Sequence, residues 1–230
     1  MKPAIYLAAS VALAIPFLIF PGLDIEVARL FHRAETGFFL EHHPLVILIY
    51  DSIAVLKILI TGLVALMILA WIIPALRRLR VRGAVIAYIA LSFLLGPALV
   101  TNEILKNNTG RARPAQVVEF GKKANFTPPF VISDQCARNC AFVSGHASLG
   151  FAMITFAFLI APGARRRTAV AAAVAFGAIV GIGRMMQGAH WLSDVIFAGL
   201  INIAIAWALY QWIVRRDGLG FLFNRRGEKT

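Results

Sequence analysis

Apolar runs long enough to cross a bilayer recur along this chain, and they fix its solvent before any motif is considered. About 20 helical residues span the hydrocarbon layer, and six stretches approach that length: near 3–20, 52–76, 83–105, 148–162, 168–187 and 191–214, the fourth being short. With 60% hydrophobic residues and a mean hydropathy of +0.77 over 230 residues, the chain carries more apolar surface than a soluble core could hide. The expected fold is therefore all-α, a polytopic membrane protein of six transmembrane helices, with residues 1–230 as a single integral membrane domain. A net charge of +12 would invite a nucleic-acid reading in a soluble domain. Here the charge falls in short clusters between apolar runs, as expected of groups that set topology or meet anionic lipid, and nucleic acid is set aside as a partner.

Arginine clusters orient the bundle. Arg77, Arg78, Arg80 and Arg82 follow the second run, Arg165 to Arg167 the fourth, and Arg215, Arg216, Arg225 and Arg226 the sixth. The positive-inside rule assigns all three to the cytoplasm, with both termini on that side. The first run ends at Phe20-Pro21-Gly22 without a small-x-small cleavage site and is read as a retained helix. Three segments then face outward: about 22–50, about 106–147 and the turn near 187–191. Residues 23–33 mix apolar and charged positions as an interfacial helix would, one that either borders a lipid entry path or only packs against the bundle.

The long outer loop holds Lys106, Arg111, Arg113, Lys122, Lys123 and Arg138 against Glu119 and Asp134. This is a basic surplus where loop cations are usually depleted, so an anionic partner is expected outside. Its first part, Lys106-Asn-Asn-Thr-Gly-Arg-Ala-Arg113-Pro114, offers a mobile ammonium and a planar guanidinium, with Gly110 permitting a turn between them. That pair suits a tetrahedral oxyanion. Its last part, Phe142-Val143-Ser144-Gly145-His146, places a serine hydroxyl and close-approaching backbone N–H groups at a helix start. A third segment, Arg184-Met-Met-Gln-Gly-Ala-His190-Trp-Leu-Ser-Asp194, sets ionisable groups where the chain enters or leaves the bilayer, a costly position that asks for a chemical reason. His190 and Asp194 stand four apart, and on a helix that spacing lets the carboxylate hold one ring nitrogen and leave the other free.

Taken singly each motif is weak; a capping serine or a basic helix end is ordinary. In this order, and all at one face, they resemble the type 2 phosphatidic acid phosphatase superfamily, whose fold is shared with vanadium haloperoxidases. The resemblance covers about residues 100–200 by motif. It departs at Val143, where the family commonly has proline, a position without side-chain chemistry. It implies a metal-independent phosphatase without cofactors. Lys106, Arg113, Ser144, Gly145 and Arg184 would bind the phosphoryl oxygens. His190, oriented by Asp194, would form a phosphohistidine, while His146 would protonate the leaving oxygen and then assist water.

The implied substrate is a phosphorylated membrane lipid at the periplasmic face of a bacterial inner membrane. An interfacial segment at 22–50 together with a Cys-containing loop is similar to bacterial lipid A phosphatases of that superfamily, which makes lipid A phosphate the expected substrate. Phosphatidylglycerol phosphate, undecaprenyl pyrophosphate and phosphatidic acid are the enzymatic alternatives, and an anionic-lipid transporter or binding protein the non-enzymatic one. Cys136 and Cys140, the only cysteines, are expected to form a disulfide. Gly177 and Gly181 are expected to allow close helix packing, His32, His42 and His43 to be interfacial, and Lys57 to seek a partner such as Glu103.

Overall fold

The computed structural model describes residues 3–79 and 82–216; Arg80, Arg225 and Arg226, part of the topology argument, lie outside the described residues. Helix α1 runs over Pro3–Ile19 and α2 over Leu23–Arg29, the two bent by 85° at the Pro21-Gly22 break. A hairpin of β1 (His32–Arg33) and β2 (Gly37–Phe38) follows. Helix α3 spans Pro44–Ile72, α4 Gly83–Asn108, α5 Gly145–Leu159, α6 Ala164–Met186 and α7 Leu192–Arg215.

Four of these, α3, α4, α6 and α7, are long and apolar enough to cross a membrane, or five spans if the bent α1–α2 pair counts as one. The six expected runs therefore correspond to four long helices, one bent pair and one short helix. The short one is α5, interrupted at Met153 between Gly145–Ala152 and Ile154–Leu159. The architecture is predominantly helical, as expected, and the hairpin is its only sheet among the described residues.

Local chemistry sets the helix ends. Pro44 opens α3, where its missing N–H costs nothing, and His43 caps it by accepting from the Leu45 N–H at 3.3 Å. Pro74 stops it two residues past Ile72. Along α3 only Val46, Ile53, Ile60 and Ala70 are buried, and apolar side chains such as Leu48, Val55 and Ile58 point outward. An apolar helix exposed around most of its circumference needs lipid, not water, as its neighbour.

Helix α5 forms the axis of the bundle, against α4, α6 and α7. Its approach to α6 depends on glycine. A Cβ at Gly150 would lie 2.9 Å from the Cα of Gly177, and one at Gly177 would meet the Phe151 ring at 2.4 Å. Gly181 instead lets α6 approach Val195 of α7. The expected close packing is present, with two different partners. Below the site, Tyr88, Ile89, Ile154, Phe158 and Ile213 form one apolar cluster. Phe17, Phe142, Phe151, Val195 and Phe197 form a second, and Phe38, Val117, Phe120 and Trp191 seal the end that carries the motifs.

His32 packs against Phe38 and Phe120, while His42 is exposed. Lys57 is exposed on α3, and among the described residues no ion pair joins it to Glu103, which accepts from Asn107. The expected Lys57 partner is thus not Glu103.

Candidate active site

Three chain segments meet at one end of the bundle. Lys106 and Arg113 come from the end of α4 and the loop beyond it, Ser144, Gly145 and His146 from the start of α5, Arg184 from the last turn of α6, and His190 and Asp194 from the entry to α7. Gly110 makes the first turn possible. Its φ is +65°, and a Cβ there would fall 1.5 Å from the Ser133 carbonyl oxygen, so no other residue fits without moving the loop.

Ser144 is the N-cap of α5, its hydroxyl accepting from the Ala147 N–H at 3.4 Å, and its own N–H donates to the Asp194 carbonyl at 3.2 Å. Lys106 is buried to 6% exposure, and its Nζ lies 3.8 Å from where a Cβ on Gly145 would stand. Among the described residues its ammonium makes no ion pair. Lys106, Arg113 and Arg184 are near enough to repel one another. The Arg113 guanidinium donates to the Asn139 carbonyl at 2.8 Å, and Arg184 donates to Gln187 while its Nε finds no partner. Three neighbouring cations with spare donors are an arrangement that can hold an anion.

The imidazole of His190 is buried, and its Nδ1 lies 2.8 Å from the Ala141 carbonyl and 3.4 Å from the Asp194 carboxylate. A carbonyl only accepts, so Nδ1 carries the proton and Nε2 keeps its lone pair. Burial chiefly holds this ring well below the usual histidine range, at about 4; the charges of Lys106 and Arg184 add to the shift and Asp194 opposes it. The ring is neutral at pH 7 and needs no base to become a nucleophile.

The His190–Asp194 proximity has a different origin from the helical i, i+4 stacking expected from spacing. His190 precedes the helix; Trp191 is the N-cap, and Asp194 at N3 reaches back to accept from its N–H at 2.8 Å. The His190 Nδ1–H donates its main hydrogen bond to the carbonyl of Ala141, a residue whose side chain carries no signal.

Arg111, in the sequence one cation among several in a basic loop, does more. At 1% exposure it donates to Asp194 at 2.6 Å, Asp24 at 2.7 Å, Ser193 Oγ at 2.8 Å and the Thr127 carbonyl at 2.7 Å. Asp24, on α2, also accepts from the Ser193 N–H at 2.8 Å and hydroxyl at 2.5 Å. Helix α2 is thereby pinned to the start of α7. Tyr50, two turns into α3, was also missed: its ring stacks on His146 at 4.7 Å and lies under the Arg184 guanidinium at 4.7 Å. Its only sequence signal is an aromatic residue in an apolar run.

Among the described residues no three His, Cys, Asp or Glu side chains gather as a metal-holding group. The expected Cys136–Cys140 disulfide is present, with Cα atoms 5.7 Å apart.

The model of the PAP2 superfamily matches residues 84–217, which include all eight candidate residues. The chain belongs to this superfamily. Curated PAP2 relatives agree: a lipid A 4'-phosphatase of Francisella tularensis subsp. novicida is 35% identical over 201 residues, 87% of this chain and 90% of that protein. Lipid A 4'-phosphatases of Rhizobium leguminosarum and Rhizobium etli are 34% and 35% identical over 119 residues, covering 51% of this chain and 50% and 46% of theirs. No solved structure matches the chain at a significant level.

Proposed function

We propose that this PAP2 protein removes a phosphate from lipid A, the 4'-phosphate by analogy with its relatives, through a phosphohistidine on His190. The observation that carries the reading is the His190 ring: its Nδ1–H is held by Ala141 and Asp194, which leaves the lone pair on Nε2, and the charges of Lys106 and Arg184 act on the ring. Lys106, Arg113 and Arg184, with the Ser144 hydroxyl and the Gly145 N–H, hold the phosphoryl oxygens and stabilise charge in the transition state. His190 Nε2 attacks phosphorus and the bond to the sugar oxygen breaks; His146, held deprotonated by burial and by the charges of Arg184, His190, Lys106 and Arg113 until the phosphate dianion offsets them, takes up a proton with the substrate and gives it to that oxygen. Water then attacks the phosphohistidine, His146 takes the water proton, and inorganic phosphate leaves with the N–P bond broken.

The site works without a metal, since the charge stabilisation a cation would supply comes from side chains. Chelators are expected to leave turnover intact and vanadate, which mimics five-coordinate phosphorus, to inhibit.

The location that goes with this function is the periplasmic face of a bacterial inner membrane. Supporting it, Arg165 to Arg167 lie in the first turn of α6 and Arg215 at the end of α7, the ends opposite Arg184 and Asp194. The deciding experiment measures phosphate release from lipid A by purified protein, with phosphatidylglycerol phosphate, undecaprenyl pyrophosphate and phosphatidic acid in parallel. Release from lipid A that disappears in His190→Ala is expected. Near-normal release by that variant would overturn the mechanism, and lipid binding without release by the native protein would make it a binding protein or transporter.

A further inference from the structure

Between Thr127 and Ser133 the outer loop leaves the sealed end of the bundle and returns with its apolar side chains outside. Phe130, Val131 and Ile132 are 54%, 51% and 82% exposed. Three consecutive exposed apolar residues are unfavourable in water. Phe130 is also held at φ +69°, a conformation that a bulky residue seldom adopts.

The depth of this segment follows from its contacts. The Phe130 ring packs edge-on against Phe197 at 4.6 Å and against Phe142 at 5.9 Å. Phe197 lies five residues into α7, roughly 7–8 Å below the helix start. It also touches Phe17, near the end of α1. Phe130 therefore sits lower than the helix entry that carries His190. The chain then climbs back to the end of α4, where the Ser133 N–H donates to the Thr109 carbonyl at 2.9 Å.

We propose that Phe130, Val131 and Ile132 form a wedge seated among lipid acyl chains, in the leaflet on the active-site side. Exposed apolar side chains also occur on the spans at this end, such as Ile104, two residues before Lys106. Both ends of the wedge are tied to the site. Phe142 stands two residues before Ser144, and Thr109 stands between Lys106 and Arg113. The wedge sets the depth of the phosphate pocket relative to the membrane surface. The inference depends on the chain crossing a bilayer and is independent of the phosphatase reading.

The test places a fluorophore at the tip. Ile132→Trp and, as a control in the exposed polar part of the same loop, Lys122→Trp are reconstituted into phosphatidylcholine bilayers with or without bromine on the acyl chains. Emission is compared with that of the native protein. The expected result is a blue-shifted added emission in Ile132→Trp that is mostly lost in brominated bilayers, with no such loss in Lys122→Trp. Equal quenching in the two variants would overturn the proposal. A blue shift without bromine quenching would also overturn it, by placing the tip against protein.

Discussion

Arg111 and Arg113 stand two residues apart and do opposite work. Arg111 spends its donors on two carboxylates, a hydroxyl and a carbonyl, and is closed to solvent. Arg113 makes one backbone contact from its guanidinium and faces two other cations. One charge is consumed by the fold, and the other keeps donors that the proposed function assigns to the substrate phosphate. A membrane enzyme for anionic lipids needs both: a buried cation neutralised by geometry fixes the site, and an under-neutralised one attracts the substrate.

Removing the consumed charge has the largest expected effect. Arg111→Met leaves Asp24 and Asp194 buried without their cation, a loss of about 3–5 kcal/mol by the behaviour of broken buried pairs. Thermal unfolding of the purified variant, followed by circular dichroism, should show a strongly lowered midpoint together with lost turnover. A midpoint equal to the native one would deny Arg111 its clamping role. The opposite expectation holds for Arg113→Ala: kcat/KM for phosphate release falls by roughly 10²–10³, as on removal of a preorganised oxyanion donor, while the midpoint stays level or rises. A variant that unfolds early instead would put both arginines in the same class.

Acidity gives a smaller effect of defined sign. Because folding lowers the His190 pKa to about 4, the nucleophile stays neutral and kcat/KM should hold level from pH 7 to about 5 as far as this group decides it. Below about 4 the ring protonates and the rate falls with pH. The unfolded ring titrates near 6.5, so the unfolded chain binds more protons between the two values. The contribution of His190 to stability is therefore full above about 6.5 and is lost as pH falls towards 4. A kcat/KM profile that declines already through pH 6.5 would place the nucleophile elsewhere.

The smallest effect belongs to the disulfide. Cys136 and Cys140 close a loop with a sequence separation of 4, so chain entropy assigns it at most about 2 kcal/mol. Replacing both with serine should shift the midpoint much less than Arg111→Met and leave turnover nearly intact. An effect as large as that of Arg111 would mean the loop, not the ion pairs, holds the site.

The contrast also marks what sequence could disclose. Spans, ordered motifs and the disulfide are legible because each is local: a run of apolar residues, a spacing, two cysteines four apart. His190 and Asp194 read as neighbours for a local reason, although the reason differs, a helix start in place of a helix face. The partners of Arg111 are not local. Asp24 lies 87 positions away and Asp194 83, and only the folded chain shows that α2 closes over the start of α7. The interrupted α5 is legible only as a short run, because Met153 offers no proline or glycine to announce a break. Tyr50 falls at the end of the outward segment 22–50 and belongs to no motif, since stacking on His146 leaves no trace in spacing.

The unequal lengths of two helices have a kinetic consequence. At 29 residues α3 measures about 43 Å, more than a hydrocarbon layer is thick, whereas α5 measures roughly 22 Å and falls short of it. Tyr50, which meets His146 at the head of the short helix, stands about 9 Å from the Pro44 end of the long one. With α3 crossing the bilayer as proposed, the candidate residues would stand near the boundary between hydrocarbon and headgroups, where a lipid phosphate resides. A substrate would then reach them by lateral diffusion without being lifted from its leaflet. Turnover should then follow the mole fraction of substrate in the bilayer, and diluting the vesicles in more buffer should leave it unchanged.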